Sequence, residues 1–76
     1  MTITAAQIRA ARGLLNWSQS ALADAAKLSR PTIDRAERAS VSDEARATIR
    51  STLEAAGVIF VAENGEGPGV RLRKEK

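Results

Sequence analysis

Apolar residues recur at helical spacing along the first 57 positions, then give way to a β-branched, glycine-rich stretch from Val58 onward. Ile8, Ala11 and Leu15 stand at i, i+3 and i+7, the stripe of a one-sided helix, and Thr4 is placed to cap it. Gly13 weakens the last turn, so this helix is expected to stop near Leu14 or Leu15. Ser18 precedes Gln19 to Ala26, where Leu22, Ala25 and Ala26 repeat at helical intervals and predict a short second helix. Lys27 and Leu28 make a brief turn. Ser29 is the next cap, and Pro31 falls in a first turn, where its missing amide hydrogen costs nothing. Ile33, Ala36 and Glu37 follow on one side, which gives a third helix of about Arg30 to Arg38.

Ser40 with Asp43 fits a capping box, with Ser42 as a rival cap, and Asp43 and Glu44 favour the positive end of a helix that starts there. Ala45, Ile49, Leu53 and Ala56 form its apolar stripe, and Gly57 is a natural left-handed stop. Val58 to Val61 favours a strand, Asn64 to Gly69 is rich in turn formers, and Val70 to Arg73 alternates apolar and basic residues. A terminal β-hairpin follows, with Val70 and Leu72 on its packed face and Arg71 and Arg73 on the other. The expected fold is mainly α, with four helices over residues 1–57 and a hairpin with a basic tail over 58–76.

Composition narrows what such a chain does. At 76 residues it is one small module, which buries only about 60% of its unfolded surface, so packing or dimerisation must supply stability. It has no cysteine and no histidine, which removes disulfides, thiolate nucleophiles, imidazole bases and the usual zinc ligands. No nucleophile paired with a base and no phosphate-binding loop can be assembled, so no catalytic residue, metal or cofactor is expected. No apolar run approaches the ~18 residues that span a bilayer, and Thr2, Thr4, Gln7 and Arg9 interrupt the apolar core a secretory signal needs. A cytoplasmic location without membrane contact is expected. The net charge of +3 is uneven. Residues 1–39 carry six Arg/Lys against three Asp/Glu, residues 40–69 two against five, and residues 70–76 four against one. Basic ends flanking an acidic middle suggest a polyanionic partner for the N-terminal half or the tail.

Two short helices joined by a three- or four-residue turn, with small Ala23 where they approach and Ile33 filling the contact, follow helix-turn-helix grammar over about residues 19–38. Gln19, Leu22, Ala23, Ala26, Ser29, Thr32, Ile33 and Glu37 stand at the offsets of the XRE family of phage-repressor-like DNA-binding domains, which the stretch from Ile8 to Ala39 closely resembles. The resemblance makes Ser29 to Arg38 the recognition helix. It places Arg30, Pro31 and Arg35 toward the bases, with Ser29, Thr32 and Arg38 completing the DNA-binding set. An arginine there pairs in bidentate fashion with guanine O6 and N7, and Thr32 meets a thymine methyl or a phosphate. Gln19 matches a position that bonds a backbone phosphate, with surface capping as its alternative role. Arg12 and Glu37 match a structural ion pair between the first and third helices.

The chain departs from the family pattern in places. Lys27 and Ala39 replace usual glycines, and Ala36 replaces a larger aliphatic residue. Lys27 must therefore accept a left-handed backbone, at around 1 kcal/mol, or the turn must change. Asp34 lies on or near the DNA side, where it repels phosphates unless it accepts a hydrogen bond from cytosine N4. Trp17, the one tryptophan, is read as packing area and not as a stacking platform. The segment from Leu53 to Arg73 resembles the tail of very small bacterial members of the family. An isolated hairpin is marginal, so it must pack on the helices or pair with a second copy, and it is expected to supply a dimer contact. A basic arm of Arg71, Arg73, Lys74 and Lys76 is the competing role.

The function expected from this reading is sequence-specific transcriptional regulation. The chain would act as a repressor on a palindromic operator in double-stranded DNA, as a homodimer. The alternative is an antitoxin or antiactivator that uses the helix-turn-helix scaffold to bind a regulatory protein partner.

Overall fold

The computed structural model describes residues 2–73, so Lys74 and Lys76 of the basic arm lie outside the described residues. Thr4 begins α1 (Ala5–Leu15) with a reciprocal capping box: its hydroxyl accepts from the Gln7 amide at 3.1 Å while Gln7 Oε1 accepts from the Thr4 amide at 2.8 Å. Asn16 ends the helix in the left-handed conformation at φ 58°, which an asparagine tolerates better than most residues.

Helix α2 (Gln19–Ala26) is capped by Ser18, whose hydroxyl accepts from the Ala21 amide at 3.0 Å. Leu22, Ala23 and Ala26 are buried, whereas Ala25 is exposed, contrary to the expected stripe. At 100° per residue Ala25 falls about 105° from the centre of the buried arc, and Ala23 takes its place. Lys27 accepts the left-handed backbone at φ 58°, so the turn is kept without glycine. The Leu28 amide reaches back to the Ala23 carbonyl at 3.0 Å, the long bond of a Schellman turn.

Helix α3 (Arg30–Arg38) is capped by Ser29 and buries Ile33, Ala36 and Glu37. Ala39 follows it at φ −142°, outside the left-handed region, so no glycine is required there. Ser42, not Ser40, caps α4 (Asp43–Ala55), accepting from the Ala45 amide at 3.1 Å. Its first turn carries Asp43 and Glu44 against the positive helix end. Gly57 then turns the chain at φ 109°.

Strands β1 (Val58–Val61) and β2 (Gly69–Leu72) form an antiparallel hairpin in which Val58 pairs with Leu72, Ile59 with Arg71, Phe60 with Val70 and Val61 with Gly69. Val58 and Phe60 join Ile3, Ile8, Leu22, Ile33, Ile49 and Leu53 in one core, with Leu15, Trp17 and Val70 packed against it. Leu72 shares the inner face but is 44% exposed, at the end of the hairpin where its partner Val58 is the first strand residue. Gln7, only 3% exposed, fastens the hairpin to α1 by donating from Nε2 to the carbonyls of Gly69 at 3.0 Å and Val61 at 3.3 Å.

The left-handed Lys27 generates a stability prediction. Lys27→Gly should raise stability by a few tenths to about 1 kcal/mol, read as a higher Tm in thermal unfolding, because steric strain in the folded state outweighs the added freedom of the unfolded glycine. An unchanged or lower Tm would show that this backbone carries no strain.

Candidate nucleic-acid interface

The site is built on the outer face of α3, and its aim is set from behind by one buried carboxylate. Glu37 is 2% exposed. Arg12 grips it side-on, Nε to Oε2 at 2.8 Å and Nη2 to Oε1 at 3.0 Å, while Arg12 Nη1 donates to the Trp17 carbonyl at 2.9 Å. Gln19 Nε2 donates to the same Oε1 at 3.2 Å, and Arg9 Nη1 donates to the Glu37 carbonyl. Groups from α1 and α2 thus converge on one residue of α3, and no buried side-chain polar atom among the described residues lacks a partner. The hydrogen bond to Glu37 raises the Arg12 pKa, outweighing the opposing effect of burial, so the guanidinium stays charged.

With Ile33, Ala36 and Glu37 turned inward, Pro31 and Arg35 stand on the opposite face, whereas Arg30, seven residues before Glu37 and so on its side of the helix, is exposed at the N-terminal end of α3. Neither Arg30 nor Arg35 makes a hydrogen bond or ion pair with another described residue. Arg38 lies on this face but is engaged: its Nε and Nη2 both reach Asp34 Oδ2, at 2.8 and 2.7 Å. The other Asp34 oxygen accepts from Gln19 Nε2 at 3.3 Å. Arg38 first, then Gln19, holds the Asp34 carboxyl below its usual range, and Asp34 in turn raises the Arg38 pKa. Ser29 and Thr32 are joined by a hydroxyl–hydroxyl bond of 2.8 Å, and the Ser29 hydroxyl also caps the Thr32 amide.

Gln19 stands where a phosphate contact is expected, yet Nε2 points at the two carboxylates of α3. This leaves its side-chain oxygen, an acceptor, on the open side. Sequence reasoning placed Gln19 at the helix start but missed this bridging role. It also missed the Asp34–Arg38 pair, although the i,i+4 spacing of opposite charges was a usable signal. Thr4-x-x-Gln7 likewise carries the capping-box pattern that would have singled out Gln7.

A helix-turn-helix family model (HTH_3) matches residues 8–47, more than half of the chain and the whole of α1 to α3 beyond Gln7. The chain belongs to the XRE helix-turn-helix family. It is therefore a DNA-binding helix-turn-helix regulator in the general sense of that family. No curated protein matches the chain at a significant level. Among the described residues of this helix-turn-helix regulator, no helix is long and apolar enough to cross a membrane.

Two predictions follow from this geometry. Arg12→Met should cost about 3–5 kcal/mol in chemical denaturation, because it leaves the buried Glu37 carboxylate without its counter-charge, whereas Arg12→Met combined with Glu37→Leu should cost clearly less than those two single changes added together. Additive single and double changes would mean that the pair does not act as a unit. In a carboxyl-detected NMR titration, Asp34 should lose its charge below the ordinary ~3.9. A depressed pKa makes the Asp34–Arg38 contact fully present above the ordinary carboxylate range and lost as pH falls through the depressed value. Arg38→Gln should move that titration upward, and an unmoved midpoint would remove Arg38 as the cause.

Proposed function

We propose that this regulator is a sequence-specific transcriptional repressor that binds a palindromic operator as a homodimer and reads each half-site with α3. The observation that carries the reading is the pair Arg30 and Arg35, both exposed and without an ion-pair partner among the described residues, Arg35 on the face opposite the Glu37 clasp and Arg30 at the N-terminal end of α3. A guanidinium with all five donors available can present its fork to guanine O6 and N7 without first breaking an intramolecular bond. Pro31 offers an apolar ring between them, and Thr32 and Ser29 present hydroxyls at the helix start. Arg38, with a side chain 68% exposed even while paired, adds positive charge near the DNA backbone. At the start of α2 the first-turn N–H groups favour a phosphate, so Gln19 contributes through its backbone while its side chain holds α3.

The homodimer rests on size and surface. Principal extents of 31 × 29 × 18 Å let two copies side by side place their recognition helices about one DNA turn apart, roughly 34 Å. The hairpin exposes Ile59 at 36% and Leu72 at 44% and has only two strands, so it offers both apolar area and open edges to a second copy.

Selection of bound duplexes from a random pool tests the reading. A two-fold symmetric site should emerge and bind two chains per duplex. Affinity should fall steeply with salt, and Arg35→Ala should weaken the operator by about 1–3 kcal/mol while changing nonspecific binding far less. If no sequence is selected and a stoichiometric protein partner is recovered from the native host, the antitoxin or antiactivator alternative replaces this one.

A further inference from the structure

Asp34 is a carboxylate on a surface proposed to meet a polyanion, and its surroundings give it a definite orientation. Oδ2 accepts from Arg38 Nε, with Arg38 Nη2 in ion contact with it at 2.7 Å, and Oδ1 accepts from Gln19. Each carboxylate oxygen offers about two acceptor positions, so about one remains open on Oδ1. One helical turn earlier on the same face stands Arg30, its donors all available among the described residues. The two border an open cleft of about 360 Å³ between the starts of α2 and α3, which Gln19 and Pro31 complete. Its rim therefore presents a donor fork and a fixed acceptor side by side.

That order of groups complements one base pair. In the major groove a G·C pair presents the acceptors N7 and O6 of guanine, then the N4–H donor of cytosine. An A·T pair presents an acceptor, a donor and an acceptor, which sets the N6–H₂ of adenine against the guanidinium and the O4 of thymine against the carboxylate. We infer that Arg30 and Asp34 together read one G·C pair in each half-site, the guanidinium donating to guanine and the Asp34 carboxylate accepting from cytosine N4–H, with Gln19 and Arg38 as positioning residues. The inference rests on the operator reading above. Asp34 is then a specificity-determining residue, and the positive charge of Arg38 offsets its repulsion of nearby phosphates.

The test compares Arg38→Ala with the double change Asp34→Ala and Arg38→Ala, so that no newly freed arginine confuses the result. Both changes are on the surface, and circular dichroism and Tm should match the parent protein. Wild-type protein should prefer G·C to A·T at one position of each half-site by roughly tenfold or more. Arg38→Ala should retain a preference there, and adding Asp34→Ala should reduce it by roughly tenfold while nonspecific affinity rises or stays level. If the double change retains the preference of Arg38→Ala, the carboxylate is only an ion-pair partner and the inference is overturned. A wild-type protein that selects no duplex at all overturns the operator reading as well, whereas a selected site without a position sensitive to Asp34 overturns this inference alone.

Discussion

One carboxylate inside the protein governs where its working surface points. Removing an ionised group from water costs several kcal/mol unless charge and hydrogen bonds replace the lost hydration. At Glu37 the replacement comes from two helices at once: Arg12 of α1 supplies a planar two-bond contact, and Gln19 of α2 a further donor. The contact is directional, so it fixes the rotation of α3 about its axis as well as its distance from the scaffold. Apolar packing of Ile33 in the core it shares with Leu22 and Ile8 supplies area, but an apolar contact tolerates sliding in a way that a forked ion pair does not. The outward bearing of Arg35 follows from a residue on the opposite side of the same helix, and Arg30 stands clear of the fold at that helix's first residue.

Much of this was legible in the sequence because the signals were local. Caps at Thr4, Ser18 and Ser29, the proline in the first turn of α3 and the glycine after α4 each act within a few residues, and the helices begin and end where they indicate. The choice between Ser40 and Ser42 was not decidable from spacing alone, since either serine precedes an acidic first turn. The hairpin was visible as a switch from helical to alternating pattern. Its anchoring was not, because the donors of Gln7 meet carbonyls more than fifty positions away. Ile3 is 1% exposed, yet it stands ahead of the first helical stripe and carried no periodic signal. In the site, the residue types on α3 were readable from the family offsets, while the bonding of Gln19 was hidden because it depends on which side of two helices faces the other.

The hairpin solves a problem of size. Four short helices and no disulfide leave a small chain with little surface to bury. Val58 and Phe60 extend the common core, and Arg50 places its guanidinium 5.9 Å from the Phe60 ring centre while pairing with Glu54. A two-stranded sheet is marginal by itself. Here its inner face is packed on the helices, and Gln7 ties both strands to α1 through one side-chain amide. The hairpin is consequently part of the scaffold that α3 is built on, even before any second copy is considered.

The arginines divide along the same lines. Arg9, Arg12 and Arg46 donate to carbonyls or a carboxylate inside the fold, and these bonds must break before the side chains can serve another partner. Arg30 and Arg35 carry no such bonds among the described residues and exchange only water when they meet a base edge. Arg38 is intermediate: its Nε donates to Asp34 and its Nη2 lies against the same oxygen, which leaves the Nη1 end open and restricts the directions in which it can reach. Ordering a long side chain before contact reduces the rotamer entropy lost on binding, so a partly held arginine contributes charge and direction where a free one contributes reach. On this face Asp34 is therefore more than a subtraction from the positive charge, since the same carboxylate that weakens attraction to phosphate also orders the neighbours that meet the duplex.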